Sequence, residues 1–486
     1  MKKYITYRLL MSILLIPILF ISCDDDLDVD PTDKISESDL LSNPAKATQL
    51  INGIYDELQD YDMHSFSWIG ITSITSDDAD KGSSAGDTGT DKNKLDNLTF
   101  ASSDISFNAV WKSRYSGIGR ANTALFYLDR MTVDPTLKNR LVGEAKFLRA
   151  LWYFDLVRCF GGVPVIISSN IDVSDSETIL NTAYTRKTKQ ETYAQIEADL
   201  IEAIAKLPLK NQYAPADLGR ATKGAAQALL AKVYLYEEKW QQSYDMSGEV
   251  ISSGQYALLP DYAQVWREAG ENGTESIFEV QAIAGNGITD YSYVQEPRGT
   301  PDLGWGFNTP SLGLTNSYEA GDLRKAATIM FIPSTLWDGF YAPSTLNNPR
   351  YNYKAYQSRI AETFTDRSQS GKNLRILKYS DVLLIRAEAG FHIGSTGEAL
   401  AQINTIRHRA GLPDATSVTL QSIWTERRHE MAMEHDRWFD LIRTGQAPAA
   451  MAADGKTFIV GTHELFPIPQ EQITASGGRL LQNHGY

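Results

Sequence analysis

The sequence predicts a mainly α fold built from helical hairpins, with long loop-rich insertions laid against them. Three observations predict it. Apolar residues recur at helical spacing in two regions far apart in the chain, each broken once by a short turn. Further long helix-forming segments stand at Arg120–Met131, Lys138–Phe160 and Thr188–Leu207. Between these, Ser73–Ser103 and Ala282–Asn373 show no helical period and are rich in small, polar and aromatic residues.

The chain starts with Lys2, Lys3 and Arg8, followed by a thirteen-residue stretch, Leu9–Ile21, broken only by Ser12 and Pro17. A basic start before a short apolar run is the pattern of a secretory leader. As a helix that run spans only about 20 Å, against a bilayer core of about 30 Å, so it is not a stable membrane span. Its end, Phe20-Ile21-Ser22-Cys23, resembles a bacterial lipobox, with Phe20 where leucine is commoner. The resemblance implies cleavage after residue 22 and lipidation of Cys23, and two or more acyl chains anchor stably where one would not. Residues 23–34 then read as a tether: aspartates at 24, 25, 26, 28, 30 and 33 repel one another and extend it.

Bulk composition narrows the function. The chain is 42% hydrophobic and 22% charged, an ordinary globular balance, and its formal charge of −14 becomes −17 without Lys2, Lys3 and Arg8. A surface this acidic repels phosphate backbones, so nucleic-acid binding is not expected. Of the two cysteines, Cys23 and Cys159, the first is taken by lipid, so no internal disulfide is expected and the core must hold without staples. Cys159 sits in an apolar stretch and reads as a small buried hydrophobe.

From about Pro44 the pattern is helical. Ala226, Leu229, Leu230, Val233 and Tyr234 form one apolar face, and Trp240, Tyr244, Ser247 and Ile251 a weaker second one after a break at Glu237-Glu238-Lys239. Tyr379–Ile393 and Glu398–Ala410 repeat the arrangement around the turn Gly394-Ser395-Thr396-Gly397. Two αα-hairpins with small residues at matching positions indicate a degenerate tetratricopeptide-type array. Phe160-Gly161-Gly162-Val163-Pro164 reads as a helix stop and turn. The helices are the frame, and the two insertions are the expected working surface.

An ordered set of motifs then carries a family resemblance. It runs through Glu144-Ala145-Lys146-Phe147-Leu148-Arg149-Ala150, Phe160-Gly161-Gly162-Val163-Pro164, Arg220-Ala221-Thr222-Lys223-Gly224 and Lys378-Tyr379-Ser380-Asp381. It continues in Arg407-His408-Arg409-Ala410-Gly411-Leu412-Pro413, Glu426-Arg427-Arg428-His429-Glu430, Arg437-Trp438-Phe439-Asp440 and Leu465-Phe466-Pro467-Ile468-Pro469. In this order the chain resembles the SusD/RagB family of Bacteroidetes outer-membrane lipoproteins. The resemblance implies about four tetratricopeptide-like hairpins with a loop-rich, ligand-binding half. It implies a cell-surface location and a SusC-like TonB-dependent transporter as partner. The implied function is non-catalytic capture of glycans, or in some members peptides. The organisation expected is a leader over residues 1–22, the tether 23–34, an N-terminal helical part 35–281, the loop-rich insertion 282–373 and a C-terminal helical part 374–486.

The charged motifs read as structural. Glu426, Glu430 and Glu434 recur every four residues and Arg437, Asp440 and Arg443 every three, so ion pairs along one helical region and across helices are expected. His429 and His435 are six residues apart, roughly 240° around a helix, which is the wrong spacing for a zinc-protease pair. Asp78-Ala79-Asp80-Lys81-Gly82 has the start of a calcium loop, but Gly89 stands where the closing glutamate should be. The plain reading is a solvated acidic loop, with a loosely bound calcium as the alternative and no other cofactor expected.

Sugar rings present an apolar CH face beside hydroxyls, so ligand residues are sought among loop aromatics with short polar neighbours. In the starch-binding branch the site draws on the loop in the first helix pair and on the later insertion. By position those are Trp68–Ser103 and Ala282–Tyr356. The candidates are Trp68, Asp77, Asp78 and Lys81 from the first, and Tyr291, Tyr293, Trp305, Phe307, Trp337, Phe340 and Tyr341 from the second. A lipid-anchored glycoside hydrolase is the competing class. It would need two facing carboxylates about 5–9.5 Å apart, and no Gly-x-Ser-x-Gly nucleophile motif is present.

Overall fold

Among the described residues ten principal helices form the frame, and the first nine pack each on the next. The computed structural model describes residues 41–169 and 176–486. The expected leader, Cys23 and acidic tether lie outside the described residues. In the first half stand α1 (Pro44–Asp56), α2 (Ile105–Arg130), α3 (Pro135–Phe160), α4 (Lys189–Lys206), α5 (Lys223–Tyr236) and α6 (Trp240–Ser252). The second half adds α7 (Tyr379–His392), α8 (Thr396–Arg409), α9 (Leu420–Met431) and α10 (Arg437–Arg443). From α2 to α8 the helices pack in sequence, and α6 meets α7 directly although more than a hundred residues separate them in the chain. The array is therefore one solenoid-like stack, and the long insertion is an excursion from it.

Local chemistry sets the helix limits. Asp134 caps α3, accepting from the Leu137 amide with Pro135 at the first turn, and Gly161 at φ +74° ends it. The expected stop at Phe160–Pro164 is borne out. A reciprocal Thr188–Glu191 capping box starts α4. The helix expected from Arg120 in fact begins fifteen residues earlier, at Ile105. Gly117 and Gly119 dilute the apolar period there, and Gly117 is needed because a Cβ would lie 2.6 Å from the Trp152 ring of α3.

The core follows from this stacking. Helix α5 is buried on nearly every side, including Ala226, Leu229, Leu230 and Val233, because α4 and α6 cover it left and right. Cys159 is fully buried, and burial pushes its thiol far above the usual range, so it is packed and unreactive. Among the described residues, no helix is long and apolar enough to cross a membrane.

The excursion leaves the stack after α6 through β2 (Ser276–Val280) and returns through β6 (Leu374–Lys378), which pairs antiparallel with β2. The insertion's two ends are thus held side by side. Within it are short two-stranded pieces. Strand β3 (Phe307–Pro310) pairs with β1 (Ala79–Gly82) of the first loop, and β4 (Ser334–Thr335) pairs with β5 (Tyr341–Ala342).

The expected charge network exists, with a different geometry. The chain breaks between α9 and α10, with Met433 and His435 in the left-handed region, so the charges do not line one continuous helix. They reach across elements instead. Glu430, fully buried, accepts from Arg409 at 2.6 Å, Lys378 at 3.2 Å and Arg324 at 3.4 Å. Glu434 binds Lys354 at 2.6 Å and Lys378 at 2.8 Å, while Arg427 holds Asp381 at 2.5 Å and Asp440 at 2.8 Å. Arg324 and Lys354 belong to the insertion, so these contacts bolt it to the helical frame.

Two histidines of this region are buried and neutral. His435 lies 3.0 Å from the Tyr291 hydroxyl and 3.2 Å from that of Thr72, and His429 stacks on Tyr318 at 4.6 Å. Burial pulls both down to about 4, helped for His429 by Arg324. Below pH 6.5 the unfolded chain takes up protons that the folded one refuses, so stability should fall as pH drops from 6.5 towards 4. Each histidine contributes at most about 3 kcal/mol to that slope. Urea unfolding across this range should show it, with a shallower slope in the His429→Gln/His435→Gln variant.

Candidate functional site

Pairing of β1 with β3 brings the first loop against the insertion, and an open cleft of about 610 Å³ lies between them. Gly82 permits the close approach: it sits at φ +71°, and a Cβ there would be 2.5 Å from the Gly306 carbonyl. Beyond it the Ser83 amide donates to that same carbonyl.

Trp305 is the central aromatic residue. It is half-buried, its amide donates to the Tyr293 carbonyl at 2.8 Å, and its ring meets Tyr293 at 5.4 Å with a 51° tilt. Phe66 touches it edge-on, at 5.8 Å and 80°, and touches Phe307 at 4.8 Å. Neither neighbour stacks on the indole face. Phe66 is itself propped by the Lys92 ammonium, 4.0 Å from its ring and bonded to Asp91 and Ser106. Tyr61 closes the aromatic wall.

The rim is polar and charge-balanced. Arg298 of the insertion pairs with Asp87 of the first loop and donates to the Ser83 hydroxyl at 2.9 Å. The Ser83 hydroxyl, bonded to Asp87, holds that carboxyl below its usual range, with Arg298 adding to the effect. Arg367 lies 5.1 Å over the Tyr293 ring and 3.8 Å from Asp302. Thr90 and the backbone around Gly304 complete the lining.

Of the sequence candidates, Tyr293, Trp305 and Phe307 meet in this cleft. Trp68 is buried, its ring covered by Arg114 at 4.0 Å, so it is core. The acidic loop expected to be solvated is interior. Asp77 accepts both a 2.7 Å and a 2.9 Å bond from Arg437, and Asp78 accepts from Arg428 at 2.7 Å. Lys81 is buried, with its ammonium on the Ser84 carbonyl at 3.0 Å. Tyr291 is buried against His435. Trp68, Asp77, Asp78 and Tyr291 are taken up by the frame because partners distant in sequence reach them, which local spacing does not reveal, whereas Lys81 folds back on its own loop. Trp337 and Tyr341 are exposed and lie on a separate hairpin with half-buried Phe340. The polar rim of Asp87, Thr90, Arg298 and Asp302, together with Tyr61, was not among the candidates. The only sequence signal for the four polar residues is their position inside the two insertions, and Tyr61, which precedes the first insertion, carries none.

A second concavity of about 590 Å³ opens in the helical half, beside Trp240, His392 and Trp424. There the Trp240 face is already used, stacked on His392 at 3.7 Å and 8°, and Arg443 is held by Glu388. The Trp305 cleft is the better site.

Fold and cleft together define the class: a mainly helical, SusD-like array of hairpins with an aromatic cleft built by loops on its flank. A family model described as "Starch-binding associating with outer membrane" matches residues 25–235, and the SusD family model matches 333–486. The chain belongs to the SusD/RagB family. SusD-like protein P2 of Formosa agariphila is 26% identical over 526 residues, covering both chains completely. A solved laminarin-binding SusD-like protein is 29% identical with a TM-score of 0.78, over 92% of this chain and 100% of that one. Surface glycan-binding protein A from Bacteroides thetaiotaomicron, solved with laminarihexaose, is 25% identical with a TM-score of 0.77, over 90% and 99%.

Proposed function

We propose that this protein is a non-catalytic surface receptor that captures a neutral oligo- or polysaccharide in the Trp305 cleft. The observation that carries the proposal is a half-buried indole that stacks on neither ring neighbour, inside a cleft with a hydrogen-bonding rim. That is what a pyranose, with its CH face and hydroxyl edge, requires. The cleft's charges select among glycans. Arg298 is matched by Asp87 and Arg367 by Asp302, so neither arginine is spare for a carboxylate or sulfate. The ligands in the names of the two solved relatives, laminarin and laminarihexaose, support a carbohydrate ligand here. In this reading Cys23 carries the lipid anchor to the outer membrane, and the captured glycan passes to a SusC-like TonB-dependent transporter.

Affinity electrophoresis of residues 24–486 against neutral, carboxylated and sulfated polysaccharides tests the proposal. Retardation by a neutral glycan such as laminarin is expected. Retention by anionic polymers alone, or binding of peptides and no glycan, would overturn it. The Arg298–Asp87 pair also joins the two walls. Arg298→Ala should weaken glycan binding about tenfold, as loss of a charged group fixed at a binding surface does. It should also speed amide exchange across residues 84–90, read by mass spectrometry.

A further inference from the structure

The hairpin β4–β5 carries aromatic surface that the cleft does not use. Trp337 is 43% exposed and Tyr341 59%, while Leu336 and Ala342 beside them are buried in a local core. This exposure is held in place. The Trp337 amide donates to the Tyr353 hydroxyl at 2.8 Å, and the guanidinium of buried Arg267 sits 4.6 Å from its ring. That cation also lies 5.1 Å from Tyr353. Asp338, next in the turn, accepts from the Tyr356 and Ser358 hydroxyls at 2.8 and 2.5 Å. A tryptophan ring that is partly exposed and has a cation beside it offers a platform for a ligand.

After Tyr341–Ala342 the chain turns at Pro343–Leu346 and meets the segment Arg298–Thr300 beside the cleft. Thr345 bonds to the Thr300 carbonyl, Leu346 bridges Gly299, the Asn347 amide donates to the Arg298 carbonyl at 2.8 Å, and Asn348 to that of Ser83 at 2.9 Å. Tyr341 is four residues from Thr345, so their backbones are no more than about 14 Å apart. Thr335 is the register partner of Tyr341, and Trp337 follows it by two residues, which puts the two rings' backbones within about 12 Å.

We infer that Trp337 and Tyr341 form an outer subsite that takes the same neutral glycan chain as it leaves the cleft past Arg298. The inference rests on the cleft reading above and adds a preference for long chains. A short oligosaccharide fills the Trp305 cleft alone, whereas a polymer also lies across the hairpin, and the second contact multiplies its affinity.

The test is isothermal titration of wild type, Trp337→Ala, Tyr341→Ala, the double variant and Trp305→Ala with laminaritriose and laminarin. Both hairpin side chains are exposed, and matching melting curves will verify folding. Triose binding should stay within about twofold, while laminarin binding falls roughly tenfold in the double variant. Unchanged laminarin affinity in the double variant overturns the inference, and so does an equal loss for triose and polymer. If Trp305→Ala abolishes both ligands and the hairpin variants affect neither, only the outer subsite falls. If wild type binds neither ligand, both readings fall together. If Trp305→Ala changes nothing while the hairpin variants lose the polymer, the cleft reading falls and the hairpin stands.

Discussion

Replacing Trp305 by alanine should reduce glycan affinity by about thirtyfold or more, with the melting temperature little changed. A well-placed aromatic residue at the centre of a binding surface typically costs about 2 kcal/mol or more when truncated. Trp305 holds that position, between Tyr293 and Phe66, with its rim partners on both walls. Its removal leaves Phe66 seated on Lys92 and Phe307 in the β1–β3 pair, so the cleft keeps its shape and loses its platform. Titration with the glycan retained in electrophoresis reads the loss. Wild-type affinity in the variant would move the site elsewhere, the concavity beside Trp240 being the first place to look.

The largest expected effect on stability comes from Glu430→Ala. This side chain is fully buried among Arg409, Lys378 and Arg324, and its removal takes a shared carboxylate from all three, leaving them to Glu275, Glu434 and Asp322. Breaking a buried ion pair by deleting one partner costs about 3–5 kcal/mol, which in a chain of this size lowers the melting temperature by roughly 3–5 °C. Burial by itself would raise the Glu430 carboxyl, but Arg409, Lys378 and Arg324 override it and hold the group well below the usual range. A carboxyl depressed in the folded state contributes its stability above the unfolded value of about 4.3 and loses it as pH falls further. The gap between wild type and Glu430→Gln should therefore be full at neutral pH and narrow progressively as pH falls below about 4. Calorimetry showing no difference at pH 7 would refute this account of the network.

The frame was readable from sequence where pattern is local. The hairpins of α5 with α6 and α7 with α8 came from apolar spacing, and the end of α3 from two glycines and a proline. What was hidden depends on partners distant in the chain. Asp77 and Asp78 look like a solvated run until Arg437 and Arg428, some 350 residues on, reach back to them. Trp68 looks like a platform until Arg114 covers it. The Trp305 cleft forms between the two segments that irregular length and aromatic content mark in the sequence. Its polar members are not marked, since Asp87 and Arg298 acquire a role only when β1 meets β3. Burial sorted the aromatics: Trp305 and Tyr293 stayed accessible, and Tyr291 did not.

The antiparallel pairing of β2 with β6 has a consequence for how such receptors diversify. Because the insertion departs and re-enters at adjacent points, its length and content can vary without shifting either neighbouring helix. The binding half behaves as an exchangeable cassette on a constant chassis. The docking contacts set what a transplanted cassette must carry: an arginine for Glu426 and Glu430 where Arg324 stands, and a lysine for Glu434 where Lys354 stands. A graft between relatives that preserves those two cations exchanges ligand preference and keeps the fold; one that omits them leaves Glu430 and Glu434 short of charge partners.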